Sequence, residues 1–145
     1  MTSLDAELIA AYQRTEYRVA DGRHAFVLRV EERAPLLRVC HETFDVTCSA
    51  YITAWNPRSV ATPLDVNRAA MARLEQELTR AGWRWLRGEG VDPEGAWPPE
   101  PSLLVLGLDE ASAVALARRY DQNALVCAGA DAVPHLVICA TPAAP

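Results

Sequence analysis

Lysine is absent from this chain of 145 residues; all fourteen basic residues are arginine. Nineteen acidic residues outnumber them, and the net charge of −5 argues against the basic stripe that a nucleic-acid or anionic-membrane surface requires. No apolar run approaches the roughly 18 residues of a membrane span. The opening residues, MTSLDAELIA, lack the basic n-region of a signal peptide. A cytoplasmic location is therefore expected, in which the four cysteines stay reduced. The motifs of common chemistries are missing too. Cys40-His41 and Cys48 are spaced C-H-x6-C, without the two short ligand pairs of a structural zinc site. His24, His41 and His135 fall in no H-E-x-x-H or triad setting. There is no P-loop and no G-x-S-x-G, so the reading carries no metal, no cofactor, no nucleic acid and no membrane.

What is present is ordinary globular composition, half hydrophobic and 23% charged. The length suits one domain over residues 1–145, with a core of about 16–139 and a tail from 140. Residues 3–14 read as a helix capped by Ser3, with Leu4, Leu8, Ile9 and Tyr12 at helical spacing. Asp21-Gly22 marks a hairpin whose second arm places Phe26, Leu28 and Val30 on one face. Residues 35–48 are ambiguous, and Leu36, Leu37 and Cys40 fit a short helix there. Tyr51–Trp55 reads as a strand that stops at Asn56-Pro57. A long helix follows: Thr62 is its expected N-cap, Pro63 its first position, Asp65 completes a capping-box variant, and Gly82 stops it. Val66, Ala70, Leu74 and Leu78 form its core stripe. Strands are expected at 83–87, at 102–108, at 124–128 and at 135–140, with a helix capped by Asp109 between the second and third of these.

The order from residue 50 to 128 is strand, helix, strand, strand, helix, strand. That is the split βαβ, or ferredoxin-like, sequence within an α+β class: an antiparallel sheet with two helices on one face. An N-terminal helix and hairpin and a C-terminal strand are added. In this topology the loops 56–62, 88–101 and 121–123 share one edge of the sheet, where function usually sits. Arg58 and the helix N-terminus suit an anion. Ser59 and Thr62 add hydroxyls, and Asn56, Gln122 and Asn123 add amides. Trp55 or Trp97 offers a stacking surface, and Glu89, Asp92, Glu94 and Glu100 oppose them with negative charge. The bland reading stands beside this one: Asn-Pro ends a strand for backbone reasons alone, Thr62 is a cap, and Arg58 pairs with Glu89 or Glu100.

ITAWNPRS, GEGVDPEGAWPPEPSLLVLGL and ARRYDQNALV together resemble a family of small bacterial proteins known only as a domain of unknown function. The resemblance covers about residues 16–128 and implies no activity. The chain departs from it at Tyr120-Asp121-Gln122, where the family pattern has Phe-Gly-Gln. Three functions are carried forward. The first is a small anionic or amide-bearing ligand held by Asn56, Arg58, Ser59, Thr62, Glu100, Gln122 and Asn123. The second is a protein-interaction module, a homodimer among its forms, using the Trp-rich stretch 83–97. The third is an enzyme with Glu89 or Glu100 as acid or base.

Overall fold

The computed structural model describes residues 4–140; Ser3 and the tail from 141 lie outside it. The elements in chain order are α1 (Ala6–Arg14), β1 (Glu16–Asp21), β2 (His24–Leu28), α2 (Pro35–Thr43), β3 (Ser49–Ile52), a 3-10 turn (Pro57–Ser59), α3 (Leu64–Arg80), β4 (Arg84–Val91), β5 (Glu100–Leu106), α4 (Glu110–Arg119), β6 (Ala124–Ala128) and β7 (His135–Ile138). The seven strands form one sheet in the order β2-β1-β4-β5-β3-β6-β7. Every neighbouring pair is antiparallel.

The central strands are largely apolar because both of their faces are buried. Ala50, Ile52, Leu103, Val105, Leu125 and Cys127 point toward α3 and α4 and meet Leu74, Leu78 and Leu116. Their alternates, Tyr51, Leu104, Leu106, Val126 and Ala128, point the other way and meet Leu37 and Cys40 of α2 with Val19 and Leu28 of the hairpin. A period of two places successive side chains on opposite faces, so a strand covered twice reads as a hydrophobic run. Burying each large aliphatic chain contributes about 1.5–3 kcal/mol.

Several local expectations shift. β3 is Ser49–Ile52 rather than 51–55: the ladder to β5 ends at Ile52–Leu103, and beyond it the Thr53 hydroxyl donates to the Pro101 carbonyl. β4 runs to Val91, so GEG at 88–90 is strand and Glu89 pairs across from Arg18 rather than sitting in a loop. Thr62 does not cap α3; its hydroxyl donates to the Val60 carbonyl, and the helix begins at Leu64 with no side-chain cap. The inward stripe of α3 starts at Asn67, not Val66. Asn67 is buried, whereas Val66 is half exposed. Leu36 likewise faces solvent, while Leu37 and Cys40 go inward. The first helix is capped by Asp5, whose carboxylate accepts from the Leu8 N–H. Asp109 caps α4 as the spacing requires. No helix among the described residues is long and apolar enough to cross a membrane.

Candidate functional site

The chain leaves β3 through a turn that ordinary residues adopt reluctantly. Asn56, Arg58 and Ser59 all have positive φ, at 44°, 59° and 58°. The left-handed region costs an L-residue roughly 1–2 kcal/mol, so the surroundings must hold it. Asn67 does much of this from the first turn of α3. Its Oδ1 accepts from the Asn56 N–H at 2.8 Å, and its Nδ2 donates to Asn56 Oδ1 at 2.8 Å and to the Thr62 carbonyl at 3.2 Å. Asn56 Oδ1 also accepts from the Thr62 N–H at 3.1 Å. The Arg58 N–H donates to the Asp121 carbonyl at 2.8 Å, which ties this turn to the α4–β6 loop. Asp121 itself has φ 53°, the conformation for which the resembled pattern supplies glycine.

The turn borders a cavity of about 330 Å³ between α1, the β3 exit, the 92–99 loop and the β6 entrance. Asn56, Ser59, Glu100, Gln122 and Asn123 all line it, together with Tyr12, Tyr17, Tyr51 and Trp97. The loops that topology places on one edge therefore meet around a single space. Arg58 and Thr62 are not part of the lining. The Arg58 guanidinium is mostly exposed and stands 3.7 Å from Asp121, not beside Glu89 or Glu100. Glu89 is exposed on β4, outside the lining.

The walls are held by their own hydrogen bonds. The Tyr12 and Ser59 hydroxyls are bonded to each other, and Asn123 Nδ2 donates to the Tyr12 oxygen at 3.2 Å. The Tyr17 hydroxyl donates to the Tyr12 carbonyl at 2.6 Å, and its ring meets Tyr51 edge-on at 5.4 Å. Gln122 Nε2 donates to the Trp55 and Tyr120 carbonyls at 3.3 and 3.2 Å. Asp92 carries the loop that brings Trp97 to the rim. Its buried carboxylate receives Arg14 Nε and Nη2 at 3.0 and 3.1 Å and the N–H groups of Glu94 and Ala96. The Arg14 bonds above all hold the Asp92 carboxyl down at about 2.

Among the described residues, Glu100 is the one carboxylic acid in the lining. Burial pushes its pKa up to about 7, against the pull of a hydrogen bond from the Asn56 amide. With Asn56 Oδ1 already taken twice, the amide nitrogen is the part left for this bond. Burial likewise raises Tyr12 and Tyr17 above the ordinary phenol value, so both stay neutral near pH 7. The space thus combines aromatic walls, amides and hydroxyls, and one carboxyl poised between its two protonation states. Such a lining can exchange hydrogen bonds with a polar, planar molecule and move a proton at Glu100.

Asn67 and the tyrosines are site residues that sequence reasoning passed over, and it missed the part Asp92 plays. A polar Asn inside the apolar spacing 67, 70, 71, 74, 78 was the available sign for the first. Asp92 read as one more charge in an acidic loop, and α1 gave no sign that it would close the cavity. Compared with known proteins, residues 52–125 match a family model described as protein of unknown function (DUF3293). That span runs from the end of β3 into β6 and includes every residue expected at the site. No curated protein and no solved structure matches.

Proposed function

We propose, for a chain that belongs to the DUF3293 family of proteins of unknown function, that the cavity binds a small amide-bearing ligand. One observation carries the reading: Asn56, Ser59, Glu100, Gln122 and Asn123, scattered over the sequence, converge on one aromatic-walled space of about 330 Å³. That volume lies within the range of small-molecule sites. Amide side chains beside a half-ionised carboxyl can both donate to and accept from a planar N–H and C=O edge. The anionic alternative has less support, because Arg58 lies outside the lining and faces Asp121. In the same reading the β3–β6 half is a ferredoxin-like split βαβ unit, supported by its strand order β4-β5-β3-β6 and by α3 and α4 sharing one face. A cytoplasmic setting is part of the proposal and rests on the sequence.

Thermal melts with benzamide, nicotinamide and uracil test it. A ligand at 100 times its Kd adds about 2.7 kcal/mol, and the shift should vanish in Ala96→Trp, which fills the space from the rim. No shift with any planar amide, or a shift that survives Ala96→Trp, would remove the reading.

The value near 7 at Glu100 favours a second reading, acid–base catalysis on the bound molecule. It requires a turnover rate with a midpoint near that pH, lost in Glu100→Gln.

A further inference from the structure

The lining has an electrostatic bias as well as a shape. Among the described residues it contains no arginine or histidine, and Glu100 is its single group that can hold a full charge near neutral pH. Its remaining polar groups are neutral hydroxyls and amides. The rings of Tyr12, Tyr17, Tyr51 and Trp97 line the same space as Glu100. Ring faces attract cations, and a half-buried carboxylate is favoured by one. One cation near the rim, Arg14, lies 6.0 Å from the centre of the Trp97 ring but is committed elsewhere. Its Nε and Nη2 grip the buried Asp92, and Glu94 stands 3.3 Å away.

Resting on the ligand reading above, we infer that the head group this cavity takes is a planar cationic N–H donor, an amidinium or guanidinium, paired with Glu100 and faced by aromatic rings. Such a group presents two parallel N–H bonds to the two carboxylate oxygens. It also supplies the positive charge that the lining lacks. The Asn56 amide beside the carboxyl favours its ionised form. The titratable neighbours of Glu100 are Tyr12 from α1 and Tyr17 from β1, both kept neutral by burial. Ionisation of Glu100 alone therefore switches the site on as pH rises through about 7.

Three probes of nearly one shape separate the charges: benzamidine, benzamide and benzoate, titrated against the wild-type chain and Glu100→Gln. At about pH 8, where Glu100 is ionised, benzamidine should bind at least about tenfold tighter than benzamide, and benzoate should not bind. Lowering the pH to about 6 should weaken benzamidine and leave benzamide unchanged. That comparison uses the wild-type protein, so the test does not depend on the variant folding. In Glu100→Gln the preference for benzamidine should disappear. If benzamide or benzoate binds as tightly as benzamidine, the cationic class is wrong and the small-ligand reading stands. The class also falls if benzamidine binds Glu100→Gln undiminished. Silence from all three probes overturns both.

Discussion

Asn67 and Thr62 show how two polar residues near the same turn differ in what they hold. Asn67 is buried and makes three hydrogen bonds to the 56–62 segment. Thr62 spends its hydroxyl on a nearby exposed carbonyl. Asn67→Ala should therefore cost about 2–3 kcal/mol, since it strands Asn56 in a strained conformation with unpaired groups. Thr62→Ala and Arg58→Ala should each cost well under about 1 kcal/mol, as exposed contacts do. Urea melts of the three variants decide it; a loss in Arg58→Ala matching that in Asn67→Ala would mean that the Asp121 contact, not Asn67, supports the turn. Glu100 has the opposite sign. Its folded pKa of about 7 lies above its ordinary 4.5, so the folded state binds the extra proton between those values and stability falls as pH rises through that window. Glu100→Gln should match the wild type near pH 4 and exceed it in Tm near pH 8. A variant less stable at the higher pH would show that the carboxylate is better solvated in the fold than its burial implies.

Among the secondary-structure units, α1 is the one whose attachment decides access to the cavity. Leu8 and Tyr12 form part of the lining, and Arg14 fastens the helix end to Asp92. The fold of α1 is local, with nine residues, Asp5 at its start and the Thr15 N–H closing its end. Its docking is tertiary. Asp92 has a folded pKa of about 2 against 3.8, so the stabilisation from this pair is complete above the higher value and lost as pH falls toward the lower. Asp92→Asn should cost about 1–3 kcal/mol at neutral pH and should remove part of the acid limb of the melting curve. It should also raise amide exchange in α1 and in the 92–99 loop. Unchanged exchange in α1 would mean that Tyr12, through Ser59 and Asn123, holds the helix without help. Sequence patterning found this helix within a few residues, and it found α3 and α4, because each carries an apolar stripe of helical period. It could not find the docking, since Arg14–Asp92 spans most of the chain and neither residue stands out among fourteen arginines and an acidic loop. The same limit explains β3: Thr53 and Trp55 have strand-like side chains, but ladder partners and not propensity set where a strand ends.

The sheet as a single body joins two unequal parts. β5-β3-β6 is largely apolar and buried on both faces, while β4 beside it carries exposed Arg84, Arg87 and Glu89. The hairpin β2-β1 joins the sheet through the β1–β4 ladder from Glu16–Val91 to Val19–Gly88. Nothing in the periodicity says which edge the hairpin takes; that choice depends on how closely two backbones can approach. Gly88 is where they do. A Cβ built there would stand 1.9 Å from the Arg18 carbonyl oxygen and 2.9 Å from the Tyr51 hydroxyl, which itself donates to that carbonyl at 2.6 Å. Backbone cannot yield as a flexible side-chain end can. Gly88→Ala must push β1 away from β4, break the Tyr51 bond to Arg18 and widen the cavity at Tyr17 and Tyr51, both in its lining. The expected cost is about 3 kcal/mol or more, from overpacking together with a lost buried hydrogen bond. The expected pattern matters more than the size. Native-state hydrogen exchange should show β1, β2 and α1 opening at a free energy well below that of global unfolding, while the amides of β3, β5 and β6 keep most of their protection. Gly90→Ala, whose Cβ would meet the Thr15 methyl at 3.7 Å, serves as the control and should leave both parts joined. If Gly88→Ala instead lowers protection equally across all seven strands, the sheet unfolds as one cooperative unit, and the hairpin is no more detachable than β5.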